Sequence, residues 1–380
     1  MGDDRITLIT FADGAGATPV ERLMAGGRLA AAEDLVDLAL ACPLVSQVIV
    51  ATNAAALAER LVGRERVVVE RDRPGETFHF GRRLAAIVER YAIERPLYFG
   101  GASAPLLAPE SLEELCQDLL ASQNRVIANN LGSADFFGFT PGVALGRVEL
   151  PADSDNRLPY LLIRQAGLRG ESLEAAIENT FDVDTPTDLA ILQLLDTIKP
   201  RLRAFLDAAA LDVTRLERIT PQLVNPEAEV ALIGRVDTGI WGAPLPDSPA
   251  IKRLFVEERS MKARGREARG EVRSLLGAML EAMGPRVFFA ELARCSSAVF
   301  FDTRVIFHHL HLHLSANDRF ASDLGDVASI ENATAREFTA AALACAVPVI
   351  LGGRNVVAGG LWALTQEAWN RADSGRLPAA

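Results

Sequence analysis

The sequence predicts an α/β protein: a doubly wound, mostly parallel sheet, followed by a second α/β domain. Three observations predict it. Short β-rich apolar runs alternate with helical patterns along the chain. A glycine-rich turn, Gly14-Ala15-Gly16, directly follows the first of those runs. Far downstream, Phe181-Asp182-Val183-Asp184-Thr185-Pro186-Thr187-Asp188 closes a strand and opens a helix.

The elements follow in order. Ile6 to Phe11 reads as a buried strand, and Ala12 to Gly27, with four glycines and one proline, as a loop. Arg28 to Cys42 carries Leu29, Leu35, Leu38 and Leu40 at helical spacing. Strands are expected at 47–52, 66–70, 96–99, 125–128 and 135–140. Helices are expected at 54–61, 78–91 and 109–122, the last with Pro109 in its first turn. Two helices, 158–167 and 173–179, lead to the Asp-Thr-Pro helix, which ends near Lys199-Pro200. Strand–helix alternation of this kind builds a parallel sheet with helices on both faces. The expected division is a nucleotide-handling domain over 1–199 and a second α/β domain over 200–380. In the second, 201–223 reads as helical. Strands are expected at 229–234, 253–257, 298–302 and 348–351, with helices at 267–283, 287–295, 335–345 and 359–370.

Composition narrows the function. A length of 380 residues favours two domains, and 49% hydrophobic residues suffice for packed cores. A formal charge of −11 argues against a nucleic-acid scaffold, which needs a basic stripe, but not against a nucleotide ligand. The only lysines are Lys199, Lys252 and Lys262. Cys42, Cys116, Cys295 and Cys345 form no C-x-x-C pair, which fits a reduced chain. The acidic start lacks a signal peptide's pattern, and no apolar run reaches the roughly 18 residues of a membrane span. A cytoplasmic protein with no membrane partner is expected, with a homo-oligomer left open.

The motifs carry chemistry with differing force. Glycines at 14 and 16 let backbone amides approach phosphate oxygens, although the same residues also suit an ordinary turn. Pro19 stands where a dinucleotide fingerprint needs glycine, and there is no Walker lysine. Thr185, Pro186 and Asp188 have the order of a helix N-cap, first turn and capping box. Asp182, at a strand end, is outside that capping pattern, and its carboxylate can reach a cation. Asn129-Asn130-Leu131-Gly132-Ser133-Ala134-Asp135 follows a strand at the carboxyl edge, where open sheets bind ligands. It reads a base or sugar, or it is an asparagine turn. His79, Arg82 and Arg83 open a helix and can face a phosphate or solvent.

On the segments Ala12-Asp13-Gly14-Ala15-Gly16, Gln47 to Asn53, Pro105 to Leu112 and Asp182 to Leu189, residues 6–197 resemble the nucleotidyltransferase-like family with the GT-A type fold. The similarity is nearest to its molybdenum-cofactor and phospholactate guanylyltransferase branches. The resemblance implies an NTP substrate, a magnesium ion held by acids, and attack of an acceptor oxygen with loss of pyrophosphate. It implies Gly14, Ala15 and Gly16 on the phosphates, with Asn53, Gly100 and Gly101 beside them. Arg22 would neutralise charge, Asn129, Asn130 and Ser133 would contact base or ribose, and Asp135, Asp182 and Asp184 would hold the metal. The chain departs from the family pattern twice. Thr18 replaces the loop arginine, with no lysine after it, and Gly101 stands where the family carries a metal-binding aspartate.

The expected function is nucleotidyl transfer to a small phosphorylated or carboxylated acceptor, with GTP or CTP as donor by resemblance. The alternatives are a non-catalytic nucleotide-binding or regulatory module and a glycosyltransferase-like enzyme using Asp182 and Asp184. In the second half, His308, His309, His311 and His313 offer a metal site or packed histidines. Gly352-Gly353-Arg354 offers a second anion site or close helix packing.

Overall fold

The structure, a computed structural model, describes residues 5–72, 77–151, 155–236, 248–259, 261–262 and 264–376. The expected α/β architecture is present, with two sheets. The chain divides into two compact units, one of Met1–Ala15, Ala25–Asp182 and Lys199–Leu202, the other of Gly16–Met24, Val183–Ile198 and Arg203–Ala380.

The first unit is built on β1 (Ile6–Ala12), β2 (Val45–Thr52), β3 (Val67–Arg71), β4 (Pro96–Gly100), β5 (Arg125–Ala128), β6 (Phe136–Thr140) and β7 (Arg169–Ser172). Their order is β3-β2-β1-β4-β6-β5-β7, and only β6 runs against the rest. Strand side chains alternate between two cores, as a period of two requires. Leu8, Val48, Val50, Leu97 and Phe99 pack with residues of helices Pro19–Ala41 and Pro109–Leu120 on one face. Ile9, Ile49, Ala51 and Tyr98 pack with those of helices Phe80–Arg90 and Leu158–Arg164 on the other. That double winding makes the central strands continuously apolar.

The second unit carries β8 (Glu229–Gly234), β9 (Ile251–Val256), β10 (Ala298–Asp302) and β11 (Val349–Gly352). They lie in the order β11-β10-β8-β9, all parallel. The helix opened by Asp-Thr-Pro, Pro186–Leu194, belongs to this unit. Its Thr187 hydroxyl donates to the carbonyl oxygens of Leu351 at 2.8 Å and Asp323 at 3.2 Å.

Several local expectations are corrected. The first helix begins at Pro19, not Arg28, because Thr18 and Glu21 form a capping box. The Glu21 amide bonds the Thr18 hydroxyl at 3.3 Å, and the Thr18 amide bonds the Glu21 carboxylate at 3.0 Å. Strand β7 has no counterpart among the expected elements, because Arg169-Gly170-Glu171-Ser172 carries no apolar run. Backbone pairing with β5 and an Arg125–Glu171 ion pair of 2.6 Å hold it. In place of the helix expected at 173–179 there is a single turn, Ile177–Thr180, and the helical stretch expected at 201–223 is three short pieces, Pro200–Ala209, Thr214–Ile219 and Thr220–Val224. The helix expected from 267 starts at Leu275, capped by Ser274. Before it Gly265 and Gly270 take positive φ, which breaks a helix. Among the described residues no helix is long and apolar enough to cross a membrane.

Candidate functional site

Strand β1 lies between β2 and β4, so the chain leaves β1 toward one side of the sheet and returns on the other. Such a switch point leaves a crevice beyond the carboxyl ends of the two strands. In the first unit, the turn after β1 is held by two side chains. The Gly14 amide donates to Asn53 Oδ1 at 2.9 Å, the Ala15 amide to Asp13 Oδ1 at 2.9 Å, and Asn53 Nδ2 to the same Asp13 oxygen at 2.6 Å. The Thr52 hydroxyl ties β2 to the carbonyl of Ala12 at 2.6 Å. Asp13, which the sequence reading left without a role, therefore fixes the shape of the turn.

Gly101, just past β4, stands against the tip of β1. A Cβ there would lie 2.4 Å from the Phe11 carbonyl oxygen and 3.1 Å from Ala12 Cα, well inside van der Waals contact. The glycine is the contact by which β4 seats against the tip of β1, and an aspartate does not fit. The turn continues through Ser103, whose hydroxyl donates to the Gly100 carbonyl at 2.7 Å, and Ala104, at φ +52°. Ser103 then forms an antiparallel bridge with Asp182. Asp182, half-buried, is thereby anchored at the carboxyl end of β4.

Next along the edge, Asn129 takes a structural part. Its Oδ1 accepts from the amides of Asp135 at 3.0 Å and Phe136 at 3.4 Å. Its Nδ2 donates to Asp135 Oδ2 at 2.9 Å and the Asn179 carbonyl at 3.0 Å. Asn130 closes a turn, its Oδ1 accepting from the Gly132 and Ser133 amides at 2.9 and 3.2 Å. Gly100 donates its amide to the Asp135 carbonyl at 3.1 Å. Two residues not singled out in the sequence belong here. The buried Tyr98 hydroxyl donates to Asp155 Oδ2 at 3.0 Å, and that oxygen lies 3.5 Å from where a Gly100 Cβ would stand. Burial, with the charges of Asp155 and Asp135, raises the Tyr98 pKa well above its ordinary value, so it stays a donor. Only the phenol hydroxyl of a tyrosine within an apolar run, which needs a partner when buried, hinted at this. Lys199, which the sequence placed at a boundary, belongs to the first unit and donates to the Pro105 carbonyl at 2.8 Å. Burial lowers its pKa to about 8, with Asp34 and Glu178 opposing.

The remaining residues fall in the second unit. A Cβ on Gly16 would meet the Arg22 amide at 2.7 Å. The Arg22 guanidinium turns back onto the Ala17 carbonyl at 2.6 Å, and Glu21 accepts the Ala17 amide at 2.9 Å. The amides of Ala17 and Thr18, just past the expected Gly14–Gly16 cradle, thus receive a carboxylate of the chain itself. Asp184 is exposed, and its amide, with that of Thr185, donates to the buried Asp188 carboxylate. Of the expected capping box only the Asp188 half is made, its carboxylate accepting the Thr185 amide at 2.6 Å, while the buried Thr185 hydroxyl makes no cap hydrogen bond. His309 is packed: its Nδ1 accepts the Ser274 amide at 3.1 Å and its Nε2 lies 3.3 Å from Glu281. Gly352 and Gly353 admit the helix Pro186–Leu194 closely, a Gly353 Cβ falling 2.7 Å from Thr185 Cγ2.

Among the described residues, no group of three or more His, Cys, Asp or Glu side chains is placed to hold a metal ion. Among the described residues the first unit's acids therefore do not assemble a three-ligand set.

No protein-family model matches this chain, and no curated protein matches it. Solved structures resemble about half of it. A nucleotidyl transferase from Methanothermobacter thermautotroptrophicus is 18% identical, with a TM-score of 0.40, over 54% of this chain and all (100%) of that one. A cytidylyltransferase from Leptospira borgpetersenii is 14% identical, with a TM-score of 0.38, over 54% and 93% of the two chains. The CMP:2-keto-3-deoxy-manno-octonic acid synthetase complexed with CTP is 14% identical, with a TM-score of 0.36, over 50% and 97%. At these scores the likenesses carry no argument about residues.

Proposed function

We propose that the first unit binds a nucleotide in the crevice beyond β1 and β4 and transfers its nucleotidyl group to a small phosphorylated or carboxylated acceptor. An acceptor oxygen would bond to the α-phosphorus as the bond to the β-phosphate breaks, and pyrophosphate would leave. The observation that carries the reading is convergence at one switch point. The Asp13–Asn53-fastened turn, the Gly100-Gly101 turn and Asp182, bridged to Ser103, come together there. In this reading Gly14 and Ala15 border the phosphates. Asn130 and Ser133 border base or ribose beside the Asn129–Asp135 pair. Asp182 bears on the reacting end with Asp135 and Asp155 nearby. Magnesium would enter with the triphosphate, since it commonly takes one or two carboxylates plus phosphate oxygens.

A second reading, nucleotide binding without turnover, is favoured by Gly101, whose neighbours leave no room for the family's metal-binding acid. Calorimetric titration with GTP and CTP, with and without magnesium, alongside a pyrophosphate-release assay, separates the two. Binding with release supports transfer. Binding without release under any acceptor supports the second reading, and no binding defeats both.

A further inference from the structure

The second sheet has two edge strands, β11 and β9, and they are treated differently. At β11 the helix Pro186–Leu194 lies alongside, its Thr187 hydroxyl donating to the Leu351 carbonyl at 2.8 Å. At β9 the ladder to β8 uses alternate residues. The Ile251 amide donates to the Ala228 carbonyl and the Glu257 amide to the Gly234 carbonyl, each at 2.8 Å. With a period of two, Ile251, Arg253, Phe255 and Glu257 bond inward, and the amides and carbonyls of Lys252, Leu254 and Val256 point away from the sheet. Among the described residues, none of those outward groups has a hydrogen-bond partner. Such a row is a template for a further strand.

Proteins commonly guard an open edge with charge. Here the charges are present but turned back on their own sheet. Lys252 Nζ donates to the Ser248 carbonyl at 2.6 Å, and Arg253 pairs with Glu229 of β8 at 2.9 Å. What stands exposed is apolar. Ile251 at one end of the strand is 52% exposed, and Val256 at the other is 48% exposed. Just past Val256, the Glu257 carboxylate accepts the Ser274 hydroxyl, which brings the start of the helix Leu275–Met283 to that end. Leu275, 79% exposed, and Met279, 42% exposed, lie one turn apart on this helix and extend the apolar surface.

We propose that β9 is an interface between two copies of this chain, its edge pairing with the same edge of a second copy about a two-fold axis at Leu254. Two identical edges related by a two-fold axis run antiparallel, and the contact closes on itself. One register serves every outward group. Leu254 stands opposite its own counterpart and Lys252 opposite Val256, and each such pair exchanges two backbone bonds. Between them, Arg253 faces Phe255 and Ile251 faces Glu257. No like charges are opposed, and a guanidinium beside an aromatic ring is favourable. Slipping the register by two residues leaves an outward residue of each copy unpaired. The same register sets Ile251 of one copy against Glu257 of the other, and so near Leu275, which the Ser274–Glu257 bond places there. Each copy thus covers the exposed apolar end of the other, which a lone foreign strand would leave open. The inference concerns the second unit alone and does not rest on the nucleotide reading.

The test is the mass of the full chain in solution, by sedimentation velocity from about 1 to about 100 µM, with amide hydrogen exchange at both concentrations. The expected result is a dimer at the upper end, with the Lys252, Leu254 and Val256 amides protected there and exchanging faster on dilution. Two variants address the edge, each checked for folding by circular dichroism. Leu275→Glu puts an acid in the first turn of a helix, where acids are favourable. Val256→Pro removes one outward amide at an edge position, where proline is tolerated. Each should weaken association about tenfold or more, whereas Val143→Glu, at an exposed position of the first unit, should leave it unchanged. A monomer over the whole range overturns the proposal, and so does a dimer that survives both edge variants. Amides protected equally in the monomer would mean that the chain covers this edge itself, which overturns it as well.

Discussion

Gly101 shows how much one missing side chain decides. Its Cα hydrogens face the Phe11 carbonyl, and a methyl group would sit 2.4 Å from that oxygen. Gly101→Ala should destabilise the chain by about 1–3 kcal/mol, the usual cost of overpacking, read from urea denaturation. A neutral result would mean that the β1–β4 contact is slack. The sequence displayed the glycine but not its cause, which lies in a carbonyl ninety residues upstream (101 against 11). Asp188 makes a second residue-scale case. Burial, with the charge of Asp184 adding to it, raises its pKa to about 7, against an ordinary value near 4. Because the folded state holds this proton more tightly than the unfolded chain, the contribution is full below about pH 4 and is lost as pH rises toward 7. Asp188→Asn keeps an acceptor for the Asp184 and Thr185 amides without the ionisation. Relative to wild type, the variant should gain stability between pH 5 and 7.5. Equal pH dependence of the two would refute this assignment.

At the scale of elements, the legible parts were those written in local chemistry. The strands 125–128, 229–234 and 298–302 coincide with the apolar runs that predicted them, and the helix start at Thr185-Pro186 was readable from its Asp188 half-box. The illegible parts depend on partners distant in sequence. Strand β7 has no apolar pattern, and the arginine-rich stretch before Leu275 looked helical although ion pairs such as Arg266–Glu258 and Arg269–Glu271 hold it as turns. The Thr18–Glu21 box was overlooked because the glycines around it suggested a long loop. Asn129 illustrates the same limit, since it was read as a ligand contact and is also the clasp between the end of β5 and the start of β6. Asn129→Ala removes an acceptor from two backbone amides and two donated bonds, and should cost about 2 kcal/mol in denaturant unfolding, more than Asn130→Ala, which removes only an acceptor from two amides of its own turn. Similar small losses at both positions would deny it that clasp.

For the whole molecule, the division into units has a direct consequence. The helix Pro186–Leu194, with Leu189, Ile191 and Leu192 fully buried, counts with the second unit, whereas Lys199–Leu202 counts with the first. A fragment ending at Leu202 would strip that helix of Leu351 and Asp323, which receive its Thr187 hydroxyl. It should aggregate or show no cooperative melting in calorimetry. A soluble, cooperatively folded fragment would show that the helix does not need the second unit. Residue patterns announced two α/β halves but not this interleaving, because hydrophobic periodicity records that a face is buried and not what covers it. The central claim is that the β1–β4 switch point receives a nucleotide, and calorimetric titration of the full chain with GTP and CTP addresses it directly. Saturable binding of at least one nucleotide, abolished or weakened at least tenfold by Asp182→Asn and by Asn53→Ala, is what the account predicts. No binding, or binding indifferent to both substitutions in folded protein, would contradict it.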